Sequence, residues 1–100
     1  MPALTHEQIT LNLKAIPEWS AKATSLCRTF KFEGFLASIA FVRRIAKRAE
    51  KNQHHPDIDI RYDKVSLTLT THDEGGLTEK DFILAKHCDE IFAKFAEPEP

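Results

Sequence analysis

Apolar and polar positions recur with two different periods along this 100-residue chain, and the changes of period mark its elements. Thr5 and Gln8 stand three apart as a capping box, with Leu4 and Ile9 placed as a hydrophobic staple, which predicts a short helix over residues 6–14. Pro17 interrupts it. Trp19 precedes a brief strand and turn over residues 20–24, then a strand over residues 25–32. In that strand Leu26, Arg28, Phe30 and Phe32 share one face, and Cys27, Thr29 and Lys31 the other. From Phe35 the period becomes helical: Phe35, Ile39, Val42, Ala46 and Ala49 recur at spacings of four, three, four and three, with Arg43, Arg44, Lys47, Arg48 and Lys51 mostly on the polar face. This helix, predicted over residues 35–49, must end before His55. Pro56 disfavours helical backbone in its predecessor and has no amide hydrogen to donate. His54 and His55 therefore fall in a helix-to-strand loop.

Beyond Pro56 the period returns to two. Ile58, Ile60 and Tyr62 alternate with charged residues, and after a tight Asp63-Lys64 connection Val65, Leu67 and Leu69 alternate with Ser66, Thr68 and Thr70. That pattern predicts a β-hairpin, and its period carries His72 onto the Ser/Thr side of the second strand before Gly75-Gly76 breaks it. The last helix starts with Thr78 as cap, Asp81 as reciprocal carboxylate and Leu77 with Phe82 as staple, and continues through Leu84, Cys88, Ile91 and Phe95. The order helix, strand, strand, helix, strand, strand, helix predicts an α+β fold: a four-stranded antiparallel sheet with three helices packed on one face. One domain is expected over residues 1–96, with residues 97–100 (EPEP) as a mobile tail that has nothing apolar to bury.

Composition narrows the function classes. With 42% apolar and 29% charged residues the chain has the make-up of a soluble folded domain. Fourteen basic against fifteen acidic residues give a formal charge of −1, which offers no electrostatic case for direct nucleic-acid binding. No leader pattern or membrane-length apolar run occurs, and Cys27 and Cys88 lack CxxC spacing, so buried reduced thiols and a cytoplasmic location are expected. Seven phenylalanines in a thin domain with an open sheet face suggest burial between subunits, as in a homodimer or homotetramer.

The candidate chemistry lies with the histidines. Imidazole titrates near neutrality and can either give or take a proton, and His54, His55 and His72 occupy positions that a compact fold can bring together. Taken alone, His54-His55 also suits a solvated loop at the negative end of a helix dipole, and His72 a solvent-facing strand end. His6 and His87 read as surface residues. Asp57, Asp59 and Asp73 lie near enough in sequence to raise a nitrogen and oxygen metal site, but the spacing matches no HxxxH or HExxH pattern and no metal is expected. Neither a GxSxG nucleophile nor a glycine-rich phosphate loop is present.

Glu50, then His54-His55-Pro56, Tyr62, His72 and Asp81, at these spacings, resemble the signature of the pterin-4a-carbinolamine dehydratase family. Phe30-Lys31-Phe32, Tyr62-Asp63-Lys64-Val65, Thr70-Thr71-His72 and Gly76-Leu77-Thr78 are similar as well, so the resemblance spans roughly residues 19–92. It implies a lyase that removes water from 4a-hydroxytetrahydropterin to give quinonoid dihydropterin, without a cofactor of its own, in a pathway that serves aromatic amino acid hydroxylases. It implies His54, His55 and His72 as catalytic residues, His55 mainly at N5 and the other two protonating the hydroxyl from opposite faces. Glu50, Asp81 and Trp19 are implied as substrate-binding residues. A solvated helix end also accounts for Glu50, capping for Asp81, and a core or interface position for Trp19. Lys80 stands where many members carry arginine and is assigned no catalysis. The family also includes animal members that act as dimerisation cofactors for a homeodomain protein, so a protein-binding module or an accessory pterin-binding module is the alternative function.

Overall fold

The computed structural model describes residues 2–96; the tail expected over residues 97–100 lies outside the described residues. The elements follow in the order α1 (His6–Leu13), β1 (Ser20–Lys22), β2 (Ser25–Lys31), α2 (Phe35–Asn52), β3 (Asp57–Arg61), β4 (Lys64–Leu69), a single 3-10 turn (His72–Glu74) and α3 (Glu79–Ala96). The four strands form one antiparallel sheet in the order β1-β2-β4-β3, which is the expected α+β architecture.

Local chemistry sets the element ends. The capping box of α1 forms in both directions, Gln8 N–H to Thr5 Oγ1 at 3.2 Å and Thr5 N–H to Gln8 Oε1 at 2.8 Å. The Leu4 amide donates to the Leu77 carbonyl at 2.7 Å and so ties the segment before α1 to the approach of α3. At α3 the Thr78 amide donates to Asp81 Oδ2 at 2.9 Å, while Thr78 Oγ1 accepts from the Lys80 amide at 3.2 Å. Helix α2 runs one turn past its expected end. Gln53 closes it in the left-handed conformation (φ 53°), with its amide reaching the Ala49 and Glu50 carbonyls.

The core lies between the sheet and the helices. Leu26 and Phe30 of β2 and Val65, Leu67 and Leu69 of β4 meet Phe41 and Ile45 of α2 and Leu84, Ala85 and Cys88 of α3, all buried. Phe30, Phe32, Phe41, Phe92 and Phe95 form one aromatic cluster, with centroids 4.9–6.0 Å apart and mostly edge-on or tilted rings. On the opposite sheet face the polar row expected from alternation is present: Thr29 and Ser66 share a 2.8 Å hydrogen bond, and Cys27 lies 3.8 Å from Thr68. Both cysteines are free thiols, Cys88 buried and Cys27 half-buried. No helix of the described residues is long and apolar enough to cross a membrane.

Three expectations are corrected. The buried stripe of α2 is Ser38, Phe41, Ile45 and Ala49, leaving Phe35, Leu36 and Ile39 exposed, because Phe41 and Ile45 are the residues directed at the phenylalanine cluster. Tyr62 is no strand residue. It starts the connection after β3 at φ 56° and is exposed, and Lys64 already pairs with Arg61. His72 does not extend β4, because Thr71 makes an isolated bridge to Gly76 and the intervening residues turn back as a 3-10 helix closed by Gly75 at φ 70°.

Candidate functional site

Two chain reversals meet at one end of the domain, where α2 finishes and α3 begins. At the first, left-handed Gln53 lets the His54 amide return to the Ala49 carbonyl at 3.1 Å, so that the two histidines leave the helix in different directions. His54 reaches α3, with its Nε2 2.5 Å from Asp81 Oδ1. His55 turns back on the last turns of α2, with its Nε2 2.7 Å from Glu50 Oε1. The second reversal, after β4, presents His72. The three histidines line one open cleft of about 270 Å³, together with Gln53, Thr70, Thr71, Asp73 and Lys80.

The two carboxylates differ in setting. Asp81 is fully buried and His54 only 11% exposed at its side chain. Every acceptor of Asp81 is directed inward: Oδ1 at His54, Oδ2 at the Thr71 hydroxyl (2.7 Å) and the Thr78 amide (2.9 Å). Glu50 is 73% exposed and His55 58%, so water screens that pair. Where the carboxylate is ionised it only accepts, and Nε2 is then the donor of the pair, which leaves Nδ1 as the ring nitrogen that the carboxylate does not engage. No described residue is hydrogen-bonded to the His72 ring.

The structure brings His54, His55 and His72 together and puts Asp81 and Glu50 behind two of them, each holding an imidazole instead of facing the cleft. Trp19 is elsewhere. It is buried edge-on against Phe30, and its indole N–H donates to Asp89 at 2.8 Å, two turns or about 12 Å along α3 from Asp81. Asp89 also accepts from Arg28 at 2.7 Å. Thr71 is the residue sequence reasoning missed: it looks like one more hydroxyl of an alternating strand, and its bond to Asp81 exists only once the segment after β4 meets the first turn of α3. Gln53 and Lys80 join the cleft for the same reason. Asp57 and Asp59 lie on β3 and do not line the cleft. Among the described residues no group of three His, Cys, Asp or Glu is arranged to hold a metal ion.

Comparison with known proteins agrees on the family. Residues 2–91 match the family described as pterin 4 alpha carbinolamine dehydratase. A Chloroflexus aurantiacus protein named "Putative pterin-4-alpha-carbinolamine dehydratase" is 54% identical over 91 residues, covering 91% of this chain and 98% of that protein. One from Acidobacterium capsulatum with the same name is 49% identical over 91 residues, 91% of this chain and 99% of that protein. Among solved structures, a protein from Brucella melitensis described as a transcriptional coactivator/pterin dehydratase superposes with a TM-score of 0.86 at 34% identity, over 89% of this chain and 97% of its own. A pterin dehydratase-like protein described as a RuBisCO assembly factor of the alpha-carboxysome shares the fold, at a TM-score of 0.63 and 24% identity over 74% of this chain and 86% of its own. On the family match across nearly all of its length and on relatives near half identical, the chain belongs to the pterin-4a-carbinolamine dehydratase family.

Proposed function

We propose that this protein dehydrates 4a-hydroxytetrahydropterin to quinonoid dihydropterin by histidine general acid and base catalysis. The observation that carries the reading is the single cleft lined by His54, His55 and His72, two of them backed by carboxylates. The reaction breaks the C4a–O bond and the N5–H bond and forms a C4a=N5 double bond. One imidazolium gives a proton to the departing hydroxyl, which leaves as water, and one neutral imidazole accepts the N5 proton. His55 takes the N5 proton, while His54 and His72 supply acid from the two sides of the ring. The carboxylates of Asp81 and Glu50 hold the Nε2 hydrogens, so that each ring meets the pterin through Nδ1. Each general acid or base step of this kind contributes about 10²–10⁴-fold to the rate.

The reading includes a cytoplasmic setting and self-association, with a pterin-dependent aromatic hydroxylase as the source of the carbinolamine. The test supplies 4a-hydroxytetrahydropterin and follows quinonoid product above the spontaneous rate. Enhancement by the wild type that is lost in His55→Ala supports the reading. A wild type no faster than the spontaneous reaction refutes it.

One observation favours a second reading as a protein-binding module: Phe35, Leu36 and Ile39 are 51%, 84% and 39% exposed on the first turns of α2. The Brucella relative's description as a coactivator points the same way. A Leu36→Glu variant that keeps dehydratase activity but loses self-association or a partner separates the two roles.

A further inference from the structure

A second concavity lies on the seam between α2 and α3 and shares no residue with the histidine cleft. It holds about 260 Å³ and is lined by Arg44, Lys47, Arg48 and Lys51 of α2 and by Ile91 and Lys94 of α3. The four α2 cations fall at i, i+3, i+4 and i+7, one helix face about 10 Å long. Helix α3 runs antiparallel across from them, with Phe95 under the Arg44 guanidinium at 5.0 Å and Asp81 beside His54 beyond the far end. Five positive charges thus share one groove in a chain whose formal net charge is −1.

None of the five is ion-paired with a described residue. The neighbouring acids are directed elsewhere, Glu50 to His55 at 2.7 Å and Glu90 to His87 at 3.7 Å. Like charges three and four apart on a helix destabilise it. Helix C-terminal dipoles offset this for Lys51 and Lys94, each in the last turn of its helix, but not for Arg44, Lys47 and Arg48 further from the end.

We propose that this groove binds a compact oligophosphate anion, such as the phosphate chain of a triphosphate. The walls decide against other polyanions. Helix walls offer no strand edge on which an extended acidic peptide could pair, and one isoleucine is no row of anchors for an amphipathic helix. The Arg44 guanidinium lies over the Phe95 ring, which is only partly exposed, so the groove offers a base little to stack on. A groove about 10 Å long also spans only about three phosphates of one nucleic-acid strand, at about 3.4 Å each. An oligophosphate needs only dense positive charge over a short length.

Inorganic triphosphate is titrated calorimetrically into the purified protein at about 50 and 200 mM salt. The wild type, Lys47→Gln/Lys94→Gln in the groove and Lys31→Gln/Lys64→Gln on the sheet are compared, with circular dichroism as the check on folding. Saturable binding that weakens with salt, falls about tenfold in the groove variant and is unchanged in the sheet variant is expected. No saturable binding, an equal loss in both variants, or an oligonucleotide or polyglutamate that triphosphate does not displace overturns the proposal. Should the groove variant lose its fold, the single Lys47→Gln variant, at an exposed position, replaces it under the same outcomes.

Discussion

Nε2 of His54 lies 2.5 Å from Oδ1 of Asp81, and this contact joins the end of one long helix to the start of the other. Asp81 thereby has two jobs. It caps α3 through the Thr78 amide, and it fixes the ring of a histidine that lines the cleft.

Asp81→Ala leaves a ring nitrogen, a hydroxyl and an amide without their acceptor in a buried setting, and such losses cost about 1–3 kcal/mol each before relaxation. A net destabilisation of about 2–4 kcal/mol in urea unfolding is expected. Asp81→Asn keeps the size and one acceptor oxygen, so it should unfold closer to wild type while losing about 10²–10⁴-fold in kcat/KM. A variant that loses stability and activity in strict proportion would reduce Asp81 to a cap.

Glu50 supports His55 from solvent, so its removal should matter less. Glu50→Gln is expected to lower kcat/KM by about tenfold or less and to leave unfolding within about 0.5 kcal/mol, as for an exposed ion pair. His55→Ala should fall much further. Steady-state rates of the two variants side by side give the comparison.

Trp19 provides a contrast within the expected site. Its N–H is bound to Asp89 and its ring packs on Phe30, so Trp19→Phe should cost about 1 kcal/mol of stability and leave KM for the pterin unchanged. A raised KM with intact stability would instead bring the indole into the binding site.

Burial pushes the Cys88 thiol up from 9.0 to about 12, with the neighbouring Asp89 carboxylate acting in the same direction and Arg28 against it. A thiol that stays protonated longer in the folded state makes unfolding release a proton above pH 9. Its contribution to stability is complete below that pH and is lost as pH rises from about 9 to 12. Urea midpoints across this range should slope downward less in Cys88→Ala. With a thiol reagent at pH 8, half-buried Cys27 should react while Cys88 waits for unfolding.

The phenylalanine cluster should dominate stability. Phe41 is fully buried and touches Phe30, Phe32, Phe92 and Phe95, so Phe41→Ala should cost about 3–5 kcal/mol by calorimetry or urea. Leu36→Ala, on the exposed side of the same helix, should cost under 1 kcal/mol.

Local physics was legible in the sequence because it acts over three or four residues. The capping box of Thr5 and Gln8, the cap of Thr78 and Asp81, the stop imposed by Pro56 and the alternation of β2 and β4 all follow from near neighbours, and together they specify the elements and the antiparallel α+β arrangement. Tertiary structure alone decided which α2 stripe is buried, because that helix carries apolar residues on two faces and only the phenylalanines contributed by β2 and α3 choose between them. It alone turned Asp81 from a cap into the support of His54, across 27 residues of sequence, and set Trp19 against Asp89 across 70. The motif spacing named the three histidines, and the packing of α2 against α3 supplied the partner of His54, since no local pattern encodes which carboxylate a side chain meets across a core.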